Sequence, residues 1–171
     1  MKTSACKRIL RDLPLVFVFI LFIFTPTPTL SQEYKALEGV KELKTVFDYG
    51  HGSPEAALVI FPAIRGVYQS KSVTSLPQAP TAVIVFHDQA VKFLSTERKG
   101  DEKEKETLDK VAEMIRQFKK DGVRMEVCMY AVKVFGVNPD NIMPEIEKVE
   151  NGWVAVSGYQ ARDYSLVAIP E

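Results

Sequence analysis

The apolar positions of this chain fall into two unbroken runs and several periodic stretches, and together they predict most of its elements. Leu15 to Phe24 and Thr81 to Phe86 are the runs. The second, Thr-Ala-Val-Ile-Val-Phe, has no polar side and predicts a strand buried on both faces. Before it, Thr45 to Tyr49 predicts a first strand that stops at Gly50-His51-Gly52. Ser53 and Pro54 are a good N-cap and first helical residue, and Ala57, Ile60, Phe61, Ile64 and Val67 come next at helical spacing. Pro62 lies within that helix and predicts a kink or break.

After the Thr81 strand, Gln89 to Leu94 reads as a short helix, and the charged stretch Glu97 to Glu106 as a solvated loop leading into another. Leu108, Val111, Ile115 and Phe118 form the apolar face of that helix, which Asp121-Gly122 ends. Val123 to Met129 predicts a third strand. Ala131 to Phe135 then starts a helix that Gly136 terminates, and Asn138-Pro139-Asp140 opens a further short one. Trp153 to Val156 reads as a fourth strand closed by Gly158, and Leu166 to Ile169 as a fifth. Strands alternating with helical segments predict a three-layer α/β/α fold on a mostly parallel sheet of about five strands.

The first apolar run has a different meaning. Lys2, Lys7, Arg8 and Arg11 precede it, and the small residues Thr29 and Ser31 come after it, before Gln32. This is the pattern of a secretory signal peptide over residues 1–31. The run is about half of the ~20 residues that a spanning helix needs, and Pro26 and Pro28 prevent its extension as a helix. No lipid-acceptor cysteine lies beyond it, and Arg8 and Arg11 are not adjacent. The expectation is a cleaved leader, a polar arm over 32–43 and one domain over 44–171. The product would be secreted, periplasmic in a bacterium, with no stable membrane insertion after cleavage.

Composition then narrows the partners. The whole chain holds 22 basic and 22 acidic residues, of which the leader takes four basic and one acidic, so the remainder carries a net charge of −3. No basic patch points to nucleic acid.

The two cysteines are Cys6, in the leader, and Cys128, so loss of the leader makes Cys128 the sole thiol. An unpaired cysteine in an oxidising compartment forms an intermolecular bond or serves as a reactive group. It lies near a strand's carboxyl end, just before a predicted helix start whose amides and dipole favour a thiolate. The competing reading is a small core hydrophobe. His87, His51 and Gly158 also fall at predicted strand ends, where ligands of open α/β sheets bind. His87 could protonate a leaving group or serve only as a structural hydrogen-bonding residue. His51, between two glycines, and Gly158 are weaker binding candidates. Two histidines and one cysteine are too few for a zinc site, and no other cofactor is implied.

The order of Ala82 to His87, Gly122 to Cys128, Gly136-Val137, Ile142-Met143-Pro144 and Val156-Ser157-Gly158 resembles the DsrE/DsrF-like family of sulfur-handling proteins. The resemblance spans roughly residues 44–170. It implies that Cys128 matches the sulfur-accepting position and that His87 matches a polar strand end. It also implies a homo-oligomer, with a sulfur donor or acceptor protein, or a small sulfur compound, as partner. Two features depart from the family: the connection from Tyr159 to Tyr164 is short, and the leader would take the chain away from cytoplasmic relay partners. The expected function is an exported sulfur carrier or sulfurtransferase-like protein. The alternatives are a non-catalytic oligomeric binding module of the same fold and a thiol redox sensor. An exposed Cys128 favours chemistry, and a fully buried one favours the binding module.

Overall fold

The computed structural model describes residues 34–170. The leader lies outside the described residues. A 3-10 turn at Lys35–Leu37 precedes β1 (Lys44–Tyr49), α1 (Pro54–Gln69), the single turn α2 (Lys71–Thr74) and β2 (Thr81–Phe86). A 3-10 segment, Asp88–Leu94, leads to α3 (Glu102–Lys120), β3 (Arg124–Cys128) and α4 (Met129–Val134). Pro139–Asn141 forms another 3-10 turn, and β4 (Glu147–Val149), α5 (Gly152–Gln160) and β5 (Ser165–Ile169) complete the domain. Among the described residues no helix is long and apolar enough to cross a membrane.

Two helix starts arise directly from sequence chemistry. Ser53 Oγ accepts the Ala56 N–H at 3.1 Å at the head of α1. At α3 the Asp101 side chain accepts the Glu104 amide at 2.9 Å while the Glu104 carboxylate accepts the Asp101 amide at 3.0 Å, a reciprocal capping box. The expected break at Pro62 does not occur: α1 runs through it. Pro62 is on the exposed side, where a carbonyl deprived of its donor can be hydrated.

All strand pairs are parallel, in the order β4-β3-β2-β1-β5. The chain steps outward from β1 to β4 and then returns across the sheet to place β5 on the far side of β1. Right-handed crossovers in the two directions put their helices on opposite faces. Accordingly α1 and α3 share one face, while among the described residues α5 covers β1, β2, β3 and β5 from the other.

The first face holds the main core. Tyr49, Phe61, Phe86, Phe93 and Phe118 are buried there in edge-on and tilted contacts, with ring centroids 5.2 to 6.4 Å apart. Asp121, at the end of α3, ties α3 to α1. Its carboxylate accepts Arg65 Nε at 2.7 Å, Tyr68 Oη and Gln117 Nε2 at 2.8 Å and Gln69 Nε2 at 3.0 Å. The Arg65 guanidinium, aided by the Tyr68 and Gln117 donors, holds the Asp121 carboxyl down at about 2 against the opposing effect of burial.

The second face is thinner and more polar. Val156 and Tyr159 of α5 cover Val46, Val83 and Val85. The Tyr159 hydroxyl donates to buried Glu126 Oε1 at 2.5 Å. Burial, together with that bond to a carboxylate, pushes the phenol up to about 12.

Two expected strand features require correction. Trp153–Val156 is helical, within α5, and the fourth strand lies earlier at Glu147–Val149. Gly158 therefore ends no strand: it is an exposed residue of α5. The Val156-Ser157-Gly158 stretch is likewise inside that helix, and Tyr159–Tyr164 is its end and the turn into β5.

Candidate functional site

The carboxyl ends of β1, β2 and β3 bring Asp48, His87 and Cys128 to one rim of the sheet. In β1 Asp48 is the one charged residue between Lys44 and the strand end, and register pairs it with Val85, two residues before His87. The alternation of strand side chains turns Asp48 and His87 to the same face. Asp48 Oδ1 lies 2.7 Å from His87 Nε2. The approach is off the N–H direction, so among the described residues this buried oxygen has no aligned hydrogen-bond donor, and the contact is a close approach rather than a good hydrogen bond.

Glycines set the spacing around the imidazole. A Cβ on Gly50 would stand 3.1 Å from His87 Cε1. Gly152, the first residue of α5, is tighter still: a Cβ there would lie 3.0 Å from Cys128 Cβ, 3.3 Å from Val85 Cγ1 and 3.6 Å from His87 Cβ. The start of α5 thus rests directly on Cys128 and His87. Gly152 meets a demand for space rather than for a left-handed backbone. The next residue after His87, Asp88, does adopt a left-handed conformation, with φ of 50°. Asp is among the few residues that enter this region at modest cost, and here it turns the chain into the 3-10 segment.

Cys128 is the N-cap of α4, whose first residue, Met129, lies two residues before the expected start at Ala131, and its side chain makes no capping bond. With only six residues the helix contributes little dipole, and one early amide is already engaged, since Tyr130 N–H donates to the Glu150 carbonyl at 3.1 Å. Cys128 is 5% exposed. It nevertheless lines a cavity of about 230 Å³ together with His87 and Asp88. Tyr130, Val134 and Phe135 of the α4 region form one wall, and Asn151 and Trp153 at the head of α5 form the other. Asn151 fixes this second wall by accepting the Trp153 N–H at 2.9 Å as N-cap. A larger hollow of about 630 Å³ lies between the arm at Tyr34–Glu38 and the Ser72–Leu76 region, but holds neither histidine nor cysteine.

Of the four residues expected from sequence, the structure brings Cys128 and His87 together. His51 is elsewhere: its Nδ1 accepts the Ser53 N–H at 3.2 Å and steadies the entry to α1, and it does not line the cavity. Gly158, out on α5, is also absent from the lining. Sequence reasoning misses Asp48, Gly152 and Trp153. The first is signalled by a lone acid in an apolar strand, and the other two by Asn151-Gly152, a cap that opens a helix from residues of strand-like composition. Among the described residues no group of three or more His, Cys, Asp or Glu side chains is arranged to hold a metal ion.

Comparison with known proteins agrees with this architecture. The model of the DsrE/DsrF-like family matches residues 20–168. A solved structure titled as a protein of unknown function, MTH1491 from Methanobacterium thermoautotrophicum, is similar with a TM-score of 0.57 at 13% identity, over 74% of this chain and 98% of that one. The ychN protein from E. coli is similar with a TM-score of 0.50 at 13% identity, over 75% and 99% of the two chains. At such identity these structures speak for the fold alone. No curated protein matches the sequence.

Proposed function

The chain belongs to the DsrE/DsrF-like family, a family linked to sulfur relay, and we propose that this member carries sulfane sulfur on Cys128. The observation that carries the reading is the convergence of Cys128 and His87 on Gly152 at the wall of one cavity. In the loading step the Cys128 thiolate attacks the outer sulfur of a donor R–S–SH. An Sγ–S bond forms, the donor S–S bond breaks, and the leaving RS⁻ takes the electron pair. His87, with Asp48 beside Nε2, takes the Cys128 proton and returns it to the leaving RS⁻. The products are Cys128–S–SH and R–SH, and an acceptor thiolate removes the outer sulfur by the same exchange.

The leader pattern of residues 1–31 supports placing this chemistry in an exported, mature chain, outside the cytoplasm. The family resemblance supports a homo-oligomer as its form, and exposed apolar side chains on α5 and β5, among them Val154, Leu166 and Val167, offer surface for subunit contact.

A second reading has its own support. The near-complete burial of Cys128 in apolar walls favours a binding module in which the thiol is only packing.

Intact-mass analysis of protein recovered from its native compartment separates the two. Wild type is expected to start near Gln32, to run as an oligomer by light scattering and to gain reductant-labile sulfur from a persulfide donor. Cys128→Ser is expected to gain none, and His87→Ala to load more slowly. Equal, negligible loading of wild type and Cys128→Ser across persulfide, polysulfide and thiosulfate, with the fold intact, leaves the binding module as the function.

A further inference from the structure

The walls of the Cys128 cavity discriminate by charge. Among the described residues no lysine or arginine lines it. Lys92, on the neighbouring 3-10 segment, has its ammonium 5.0 Å from the centroid of the Phe135 ring and donates to Gln89 Oε1 at 2.7 Å, so it is already engaged outside the lining. The ionisable groups that do face the cavity are His87, Asp88, Tyr130 and Cys128 itself, with the Asp48 carboxylate directly behind His87. An anion entering here would shed water without meeting a lysine or arginine; the lining imidazole, His87, already has the Asp48 carboxylate 2.7 Å from its Nε2, and Asp88 and a thiol that must ionise to react stand beside it.

Apolar surface, in contrast, is offered without cover. Trp153 is 68% exposed, Tyr130 66% and Val134 58%, and all three border the same opening. Scattered exposed hydrophobes need no explanation, but three converging on one cavity of about 230 Å³ form an apolar entrance that a small ligand would dehydrate. The volume suits a compact molecule rather than a length of polypeptide.

We propose that the Cys128 cavity takes a small, uncharged, apolar organosulfur donor, the protonated form of an organic persulfide, which an uncharged organic disulfide mimics in binding without donating sulfane sulfur, and discriminates against anionic donors such as thiosulfate. This deepens the carrier reading by naming the class of sulfur compound. Its binding half also stands without sulfur transfer. When a protonated persulfide R–S–SH occupies the cavity, the net change is R–S–SH plus Cys128–SH giving R–SH plus Cys128–S–SH, with no external oxidant or reductant. The apolar R group would lie along Tyr130, Val134 and Trp153, with its terminal sulfur toward Cys128.

Trp153 makes binding directly measurable, because it is the single tryptophan of the chain. Its emission can be tracked in Cys128→Ser protein, which cannot be loaded, and in reduced wild type as a check on the fold of that variant. The probes are methyl benzyl disulfide, uncharged, and thiosulfate, a dianion. The expected result is saturable change of Trp153 emission with the disulfide, no saturation with thiosulfate at about tenfold higher concentration, and at least about tenfold weaker disulfide binding in Val134→Asp, a change at an exposed wall position. In parallel, loading of wild type from benzyl persulfide should exceed loading from thiosulfate at least about tenfold. Thiosulfate that binds or loads as well as the uncharged compounds overturns the proposal and leaves the carrier reading standing. Saturable disulfide binding without loading from any donor upholds the ligand class and removes the carrier reading. Absence of disulfide binding in both Cys128→Ser and wild type overturns the ligand class whatever the loading shows.

Discussion

The two faces of the sheet are built on different principles. On the side covered by α1 and α3, five aromatic rings interlock in an almost dry interior, and the main polar cluster, around Asp121, sits toward its edge where it joins two helix ends. On the side covered by α5, a nine-residue helix spans β1, β2, β3 and β5, and the sheet places Asp48 and Glu126 beneath or beside it. Cys128 and His87 meet at the edge of this thinner cover. The thick face makes the domain fold, and the thin face leaves room for polarity, a cavity and a reactive side chain. A site is least costly to place where packing contributes least to stability.

If that division holds, truncation in the thick face has the largest effect. Phe61 is 1% exposed and touches Tyr49, Phe86, Phe93 and Phe118. Phe61→Ala should cost about 3–5 kcal/mol, the range for deleting a buried aromatic ring, read as a lower denaturation midpoint. A loss below about 1 kcal/mol would mean that the aromatic cluster is not the main source of stability.

The same contrast explains how much can be read from sequence. The thick face is legible because its signals are strong: Val111, Ile115 and Phe118 repeat at helical spacing, and the apolar Thr81–Phe86 run can only be a central strand. Its partner strands, β1 and β3, are legible with it. The thin face misleads at its one helix. Trp153-Val154-Ala155-Val156 is aromatic and β-branched, so local propensity favours a strand, whereas the buried set Gly152, Val156 and Tyr159 has the spacing of one helical face. The true β4, Glu-Lys-Val, is a three-residue edge strand with two exposed charges and carries almost no signal. Cys128 and His87 can be placed at strand ends from sequence, but their nearness depends on β2 and β3 being neighbours, which only the strand order settles. Asp48 requires the β1–β2 register as well.

A conservative change on the thin face should have an intermediate effect. Tyr159→Phe removes the hydroxyl that donates to Glu126 Oε1 and leaves a buried carboxylate without that donor; Arg124 Nε is 4.0 Å from the same oxygen and replaces it poorly. The expected cost is about 1–3 kcal/mol. The raised phenol fixes the sign of the pH dependence. The folded protein holds the Tyr159 proton up to about 12 while the unfolded chain releases it near 10.0, so its contribution is complete below pH 10 and is lost as pH rises towards 12. Denaturation of wild type and Tyr159→Phe from about pH 9 to 12 should show the two stabilities converging, and a constant gap would mean that the hydrogen bond is not what the variant lost.

The smallest effect, and the sharpest test of the comparison, is the same substitution on the opposite face. Tyr49 is fully buried in the aromatic cluster, its hydroxyl has no hydrogen-bond partner among the described residues, and burial alone pushes its phenol up to about 12. Here the hydroxyl is buried without a protein partner among the described residues, so Tyr49→Phe relieves a desolvation cost and keeps every ring contact. We expect it to be neutral or to stabilise the domain by up to about 1 kcal/mol at neutral pH. Its alkaline behaviour differs in the same direction. Wild type must keep Tyr49 protonated to stay folded, so part of its stability is lost between pH 10 and about 12, and Tyr49→Phe should be more resistant to unfolding in that window. One chemical change, deletion of a phenolic oxygen, should therefore weaken the domain at Tyr159 and spare or strengthen it at Tyr49. Equal destabilisation at both positions, measured by denaturation at about pH 7, would mean that the Tyr49 hydroxyl has a partner inside the core, such as a bound water. The thick face would then not be the dry interior that sets it apart from the side bearing Cys128.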